Sequence, residues 1–195
     1  MANNSEEAAK DMIKNQVKKS TKSGFLSGLG GIITLPVAIP ANLGSVLYVQ
    51  MRMIACTAKM AGYDINSDQV QTLIYACLAG VSVTELLKKV GVQMGEKLAT
   101  SVINKIPGKV LIEINKKVGF RLITKFGQTG LINLGKLVPG AGAAVNGGFD
   151  YLETKAIGNR AIKMFFEGDY DFEEEKTSEK LKKTINKVNP FFKDK

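Results

Sequence analysis

The sequence predicts an all-α protein: a single compact multi-helix domain with a central apolar helix (about 40–61) and a second, glycine-rich apolar block (127–149). Signals that begin and end helices recur along the chain, and apolar residues between them recur at helical spacing. The longest uncharged stretch, residues 23–51, is interrupted by glycines and prolines. It therefore does not suit one straight helix of the roughly 20 apolar residues that span a bilayer. We expect this stretch in the core; contact with lipid is the alternative.

Charge and hydropathy divide the chain into three parts. Residues 1–23 predict an amphipathic N-terminal helix over about 4–22. Asn4 has an acidic residue three positions later, as in a capping box, and lysines follow near the end, as the helix dipole favours. Residues 24–166 predict the main helical domain. Residues 167–195 predict an acidic loop followed by a basic C-terminal helix and tail.

The main domain is predicted to begin with a glycine-rich turn and a short turn or helix near 29–35, followed by a long helix that starts at Pro40. Proline suits a first helical position because its missing N–H has no helical partner there. Gly62 suits the position just past a helix end, where the backbone is left-handed. Arg52 interrupts the apolar surface of this helix. Because a buried charge needs a partner, we expect Arg52 to pair with a carboxylate or to lie at the surface.

Two further helices are predicted from the residues that open them. One spans about 67–79, with Asn66 or Ser67 as its cap. The other spans about 83–104 and opens with a capping box that begins at Ser82.

A helix that starts with Pro107 and runs to about 126 carries basic residues over a wide arc. Such an arc is usually a solvated face, and binding to a membrane surface is the sharper alternative. After the glycine-rich block, a last helix is expected to run to Phe166. On the helix from Pro107, the apolar residues at helical spacing opposite the basic arc are Leu111, Ile114, Val118 and Leu122.

The formal net charge is +9, which favours anionic partners such as phospholipid headgroups or nucleic acid. We do not expect a nucleic-acid partner, because the chain has no recognised motif and its aromatic residues are not interleaved with basic ones. A lysine-rich surface that serves solubility alone is the plain alternative.

Composition argues against an enzyme. The chain has no histidine, so the usual general base is missing, and neither of its two cysteines has an imidazole partner. We therefore expect no catalytic residue, no cofactor and no metal site. The two cysteines lie in apolar surroundings and the N-terminus does not read as a secretory signal, so the expected location is cytoplasmic.

The candidate functional residues are those expected to meet an anionic membrane. The apolar candidates are Phe25, Leu26, Leu29, Ile32, Ile33, Phe191 and Phe192. The basic candidates are Lys14, Lys18, Lys19, Lys22, Lys109, Lys116, Lys117 and Arg121.

Two blocks of the sequence, residues 28–64 and 133–166, resemble the EcsC family of bacterial proteins. The resemblance implies a helical protein and, in some bacteria, a gene that lies beside those of an ABC transporter involved in export. It supplies no catalytic residues. The residues that carry the pattern are Gly30, Gly31, Pro36, Pro40, Arg52, Gly62, Tyr63, Asp64, Pro139, Asp150, Gly158 and Arg160.

The resulting hypothesis is a non-enzymatic cytoplasmic protein that associates peripherally with the anionic inner face of the cell membrane, with an ABC transporter component as a further candidate partner. One alternative is a helical adaptor that binds a protein. Another is a conditional membrane-inserting protein whose hairpin 24–62 leaves the core. The sequence leaves the oligomeric state open.

Overall fold

A computed structural model describes residues 2–29, 35–92, 100–126 and 141–172, and these contain helices and no strand, which confirms the all-α class. The last of the helices below continues into a π-helical turn, Lys163–Glu167. The helices are α1 (Ala2–Leu29), α2 (Leu35–Met60), α3 (Asp68–Ala79), α4 (Thr84–Lys88), α5 (Thr100–Ile103), α6 (Gly108–Phe126) and α7 (Ala141–Ile162).

The core forms where α1 and α2 pack against α7, and where α3 packs between α2 and α6. Leu73, Ile114 and Ile157 are each almost completely buried in it. A buried polar contact also joins α2 to α7, since the Gln50 side-chain amide donates to the Thr154 hydroxyl (3.3 Å). Helix α1, at the start of the described chain, and helix α7, near its end, therefore share one core.

The N-terminal helix is longer than predicted. α1 includes Asn4, so this residue lies inside the helix and the predicted capping box is wrong. The helix also continues past Lys22 through a glycine-containing segment to Leu29. Ala9, Ile13 and Val17 are buried. This burial stabilises the first half of α1, because most helical stability in proteins comes from the packing of one face.

The predicted start of the central helix at Pro40 is also wrong. α2 begins at Leu35, so Pro36 lies in the first turn and Pro40 lies inside the helix, where it removes the N–H that would bond to the carbonyl of residue 36. The predicted end is confirmed: Gly62 has φ +90° just past α2. Residues 30–34, which hold most of the predicted glycine-rich turn, lie outside the described residues.

The prediction for α3 is confirmed, and the prediction for the following helix is wrong. The Ser67 hydroxyl accepts a hydrogen bond from the Val70 N–H (3.3 Å) and caps α3. α4 ends at Lys88 instead of continuing to 104, because the Val92 N–H folds back to the Leu87 carbonyl (3.1 Å). Ser82 does not cap α4; its hydroxyl lies 3.0 Å from an Asp171 carboxylate oxygen.

The two later helices agree with the sequence. α6 begins at Gly108, one residue after Pro107, whose carbonyl accepts from the Val110 N–H (2.9 Å). α7 and its π-helical turn carry the chain through Phe166 as predicted. Residues 127–140 of the glycine-rich block, and the predicted C-terminal helix and tail within 173–195, lie outside the described residues.

A buried thiol and a buried phenol should make the protein less stable at high pH. Burial raises the pKa of the Cys77 thiol from 9.0 to about 12, against the opposing charge of Arg160, and raises the pKa of the Tyr63 hydroxyl from 10.0 to about 12. Between these values the unfolded chain releases protons that the folded chain keeps, so the free energy of unfolding falls as pH rises from about 9 to about 12.

Urea unfolding at a series of pH values tests this expectation. The unfolding midpoint should decline above about pH 9, and the decline should be smaller in Cys77→Ala. Cys56→Ala is the matched control and should retain the full decline. Equal declines in the two cysteine variants would contradict the assignment to Cys77.

Candidate membrane-contact surface

The inner side of α6 is part of the core. Ile114 and Val118 are buried, and Leu111 and Leu122 are half-buried against that core. The apolar stripe predicted from the sequence is therefore a packing surface, and it points away from solvent.

The outer side of α6 carries three large apolar side chains that the sequence analysis did not single out. Ile112 is 58% exposed, Phe120 is 72% exposed and Ile123 is 71% exposed. At 3.6 residues per turn, these three positions fall within an arc of about 80°. Lys109 and Lys116 fall within the same arc, and both are exposed. We call these five residues the α6 outer face.

The edge of the α6 outer face is mixed in charge. Lys117 and Glu113 are both exposed beside it. Arg121 is half-buried and interacts within the protein, so we do not count it in the α6 outer face. The face as a whole therefore combines apolar surface with three nearby lysines against one carboxylate.

The predicted basic residues of α1 lie on a different part of the fold. Lys14, Lys18 and Lys19 are exposed on α1, which packs on α2 and α7, whereas α6 packs on α3 and α4. The predicted residues on α1 whose side chains lie outside the described set are Lys22, Phe25, Leu26 and Leu29. Four further predicted apolar contacts lie wholly outside the described residues: Ile32, Ile33, Phe191 and Phe192.

Two family-pattern residues on α7 have clear packing roles. A Cβ atom added to Gly158 would overlap the Cγ2 atom of Ile13, so this glycine lets α1 approach α7 closely. The Arg160 guanidinium donates to the Cys77 carbonyl near the end of α3 (3.3 Å) and lies against Gly80. Both residues therefore hold other helices against α7.

The Gly62-Tyr63-Asp64 segment is also structural. Tyr63 is buried and its ring lies 5.5 Å from the ring of Phe165, centroid to centroid. An Asp64 carboxylate oxygen accepts from the Asn66 N–H (3.0 Å) and shapes the turn before α3. The two sequence blocks that resemble the EcsC family thus meet directly.

The other pattern residues fall into two groups. Arg52 is exposed on α2, one of the two outcomes expected for it. Pro36 and Pro40 lie near the start of α2, and Asp150 lies on α7 with its side chain outside the described set. Gly30, Gly31 and Pro139 lie outside the described residues.

Two features are absent from the described residues. None of the described helices combines the length and apolar character that crossing a bilayer requires. In the same residues, no three cysteine, aspartate or glutamate side chains are grouped so that they could hold a metal ion.

The described residues define an all-α protein in which one helix presents an outward face that is both basic and apolar. The chain belongs to the EcsC protein family, whose family model matches residues 3–166, so the resemblance seen in the sequence is confirmed. The match begins within α1 and ends within the π-helical turn. Comparison with curated proteins finds no match, and comparison with solved structures finds none.

Proposed function

We propose that this protein binds peripherally to anionic membranes through the α6 outer face. The observation that carries the proposal is the exposure of Ile112, Phe120 and Ile123 between lysines. An interfacial helix of this kind places apolar side chains at the boundary of the acyl chains while lysine ammonium groups reach the headgroups.

Rough magnitudes indicate a reversible interaction. Burial of about half of each apolar side chain contributes about 1 kcal/mol per residue. Lys109, Lys116 and Lys117 contribute about 1 kcal/mol each near an anionic surface. The sum, about 6 kcal/mol before the opposing charge of Glu113, corresponds to a dissociation constant on the order of tens of micromolar. Neither the charge nor the apolar surface alone is sufficient for micromolar binding to a membrane.

Vesicle co-sedimentation tests the proposal. The protein should sediment with vesicles that contain phosphatidylglycerol and not with vesicles of phosphatidylcholine alone. Binding should weaken as salt rises from about 0.1 M to about 1 M, because the Debye length falls from roughly 10 Å to roughly 3 Å.

Substitutions on two helices assign the binding surface. Phe120→Ser with Ile123→Ser should weaken vesicle binding by about tenfold or more, because it removes most of the exposed apolar surface of α6. Tyr48 is 60% exposed on α2, so Tyr48→Ser is the matched control and should leave binding unchanged. Equal effects of the two changes would reject the α6 outer face. Absence of vesicle binding in the unmodified protein would reject the proposed function and favour the protein-binding adaptor.

A further inference from the structure

A groove between α1 and α7 has a volume of about 590 Å³. This volume lies within the range of about 300–1,000 Å³ that is typical of small-molecule sites. Its floor is apolar: Ile13, Val17 and Ile162 line it and are buried beneath it. The groove is concave and is separate from the convex outer face of α6.

Lysines surround this apolar floor. One carboxylate, that of Glu167, lies on the lining with five lysines. Two of the lysines have acidic partners: Lys10 with Glu6 (2.6 Å) and Lys163 with Asp169 (3.2 Å). The lysines that line the groove are Lys10, Lys14, Lys18, Lys155 and Lys163.

The other three lysines of the groove have no such partner within the described chain. Lys14, Lys18 and Lys155 form no salt bridge with any described carboxylate. The Lys155 ammonium group instead lies 5.8 Å from the centroid of the Tyr151 ring, which also lines the groove. Even with Glu6, Glu7 and Asp169 included beside Glu167, five positive charges face four negative ones, so the groove retains an excess of positive charge.

From this arrangement we infer that the groove between α1 and α7 binds a single-chain anionic amphiphile, one molecule at a time. The ammonium groups of Lys14, Lys18 and Lys155 pair with a phosphate or carboxylate head, and the acyl chain covers the floor at Ile13, Val17 and Ile162. Charge-assisted hydrogen bonds supply specificity for the anion, and the apolar floor supplies preference for an attached chain. The floor residues are buried between two helices and the volume suits one small ligand, so we assign the groove to a single molecule.

Isothermal titration calorimetry with dodecyl phosphate, kept below its micelle-forming concentration, tests this inference. We expect one molecule to bind per chain. Two matched probes separate the contributions: inorganic phosphate has the head without the chain, and dodecyltrimethylammonium has the chain with a cationic head. Both should bind at least about tenfold more weakly than dodecyl phosphate. Equal binding of either probe would overturn the inference.

Three variants place the site. Lys14→Glu with Lys18→Glu should weaken dodecyl phosphate binding by about tenfold or more. Asn159→Trp should do the same by filling the groove, because the exposed Asn159 side chain lines it. Lys88→Glu with Lys89→Glu changes the charge equally at the exposed end of α4, outside both proposed sites, and should leave the affinity unchanged. Circular dichroism establishes that each variant is folded.

The inference does not depend on membrane binding, and the two fail separately. Absence of dodecyl phosphate binding, or equal affinity in folded variants of the groove, would overturn the groove site whatever the vesicle result. If the unmodified protein binds dodecyl phosphate but does not bind vesicles, only the function proposed for α6 is overturned.

Discussion

Gly158→Ala is expected to lower the free energy of unfolding by about 1–2 kcal/mol, although alanine is the better helix former. The added Cβ would overlap the Cγ2 atom of Ile13, whose β-branched side chain has few alternative rotamers. Relief of that overlap requires α1 to move away from α7, and such a movement weakens the burial of Ala9 and Val17 as well.

A glycine on another helix provides the matched control. Gly119 lies within α6, and a Cβ atom added there would have no neighbour within 4 Å. Gly119→Ala should therefore raise the free energy of unfolding by about 0.5–1 kcal/mol. Ile13→Ala should reduce the cost of Gly158→Ala when the two are combined, because it removes the atom that the new Cβ meets. Urea unfolding followed by circular dichroism measures the unmodified protein, the three single variants and the Ile13→Ala/Gly158→Ala double variant, and equal responses of the two glycine sites would contradict the close approach of α1.

Arg160→Met is expected to lower the free energy of unfolding by about 1.5–3 kcal/mol, the usual contribution of a hydrogen bond from a charged group. Methionine retains an apolar stem of similar length but no longer donates to the Cys77 carbonyl. The Cys77 carbonyl keeps its hydrogen bond from the Gly80 N–H (3.2 Å) and lies near the C-terminus of α3, where the helix dipole also favours a positive charge.

Two further substitutions separate charge from geometry at Arg160. Arg160→Lys should lose less stability than Arg160→Met, because an ammonium group retains the favourable charge but not the planar donor. Arg52 is exposed on α2, so Arg52→Met is the matched surface control and should change stability by less than about 0.5 kcal/mol. A similar small effect at Arg160 would show that its contact with α3 contributes little to stability.

Local signals predicted the parts of the fold that local interactions determine. The sequence offers Asn66 or Ser67 as the cap of α3, and the structure shows Ser67 in that role; Gly62 lies just past α2, as its permissive backbone indicates. Apolar spacing on α6 correctly separated Ile114 and Val118 from the solvated side. In each case the interaction that fixes the residue lies within a few positions along the chain or follows helical periodicity.

The errors arose where distant parts of the chain interact. Ser82 had the spacing of a cap, but Asp171, far along the chain, contacts its hydroxyl. The exposed apolar residues of α6 were missed for a different reason. Phe120 and Ile123 lie among the lysines of an arc that the sequence analysis interprets by its charge alone. A helical-wheel inspection of each apolar residue would have found them.

The packing of α1 on α7 also constrains the order in which the chain matures. Ile13 is synthesised 145 residues before Gly158, the residue against which it packs. At typical elongation rates that interval is roughly 7–30 s. During this time, α1 emerges from the ribosome without the surface that will cover Ala9, Ile13 and Val17. The nascent chain consequently carries an uncovered amphipathic segment until Gly158 and its neighbours have been synthesised, and a chaperone or a nearby lipid surface has that interval in which to engage it.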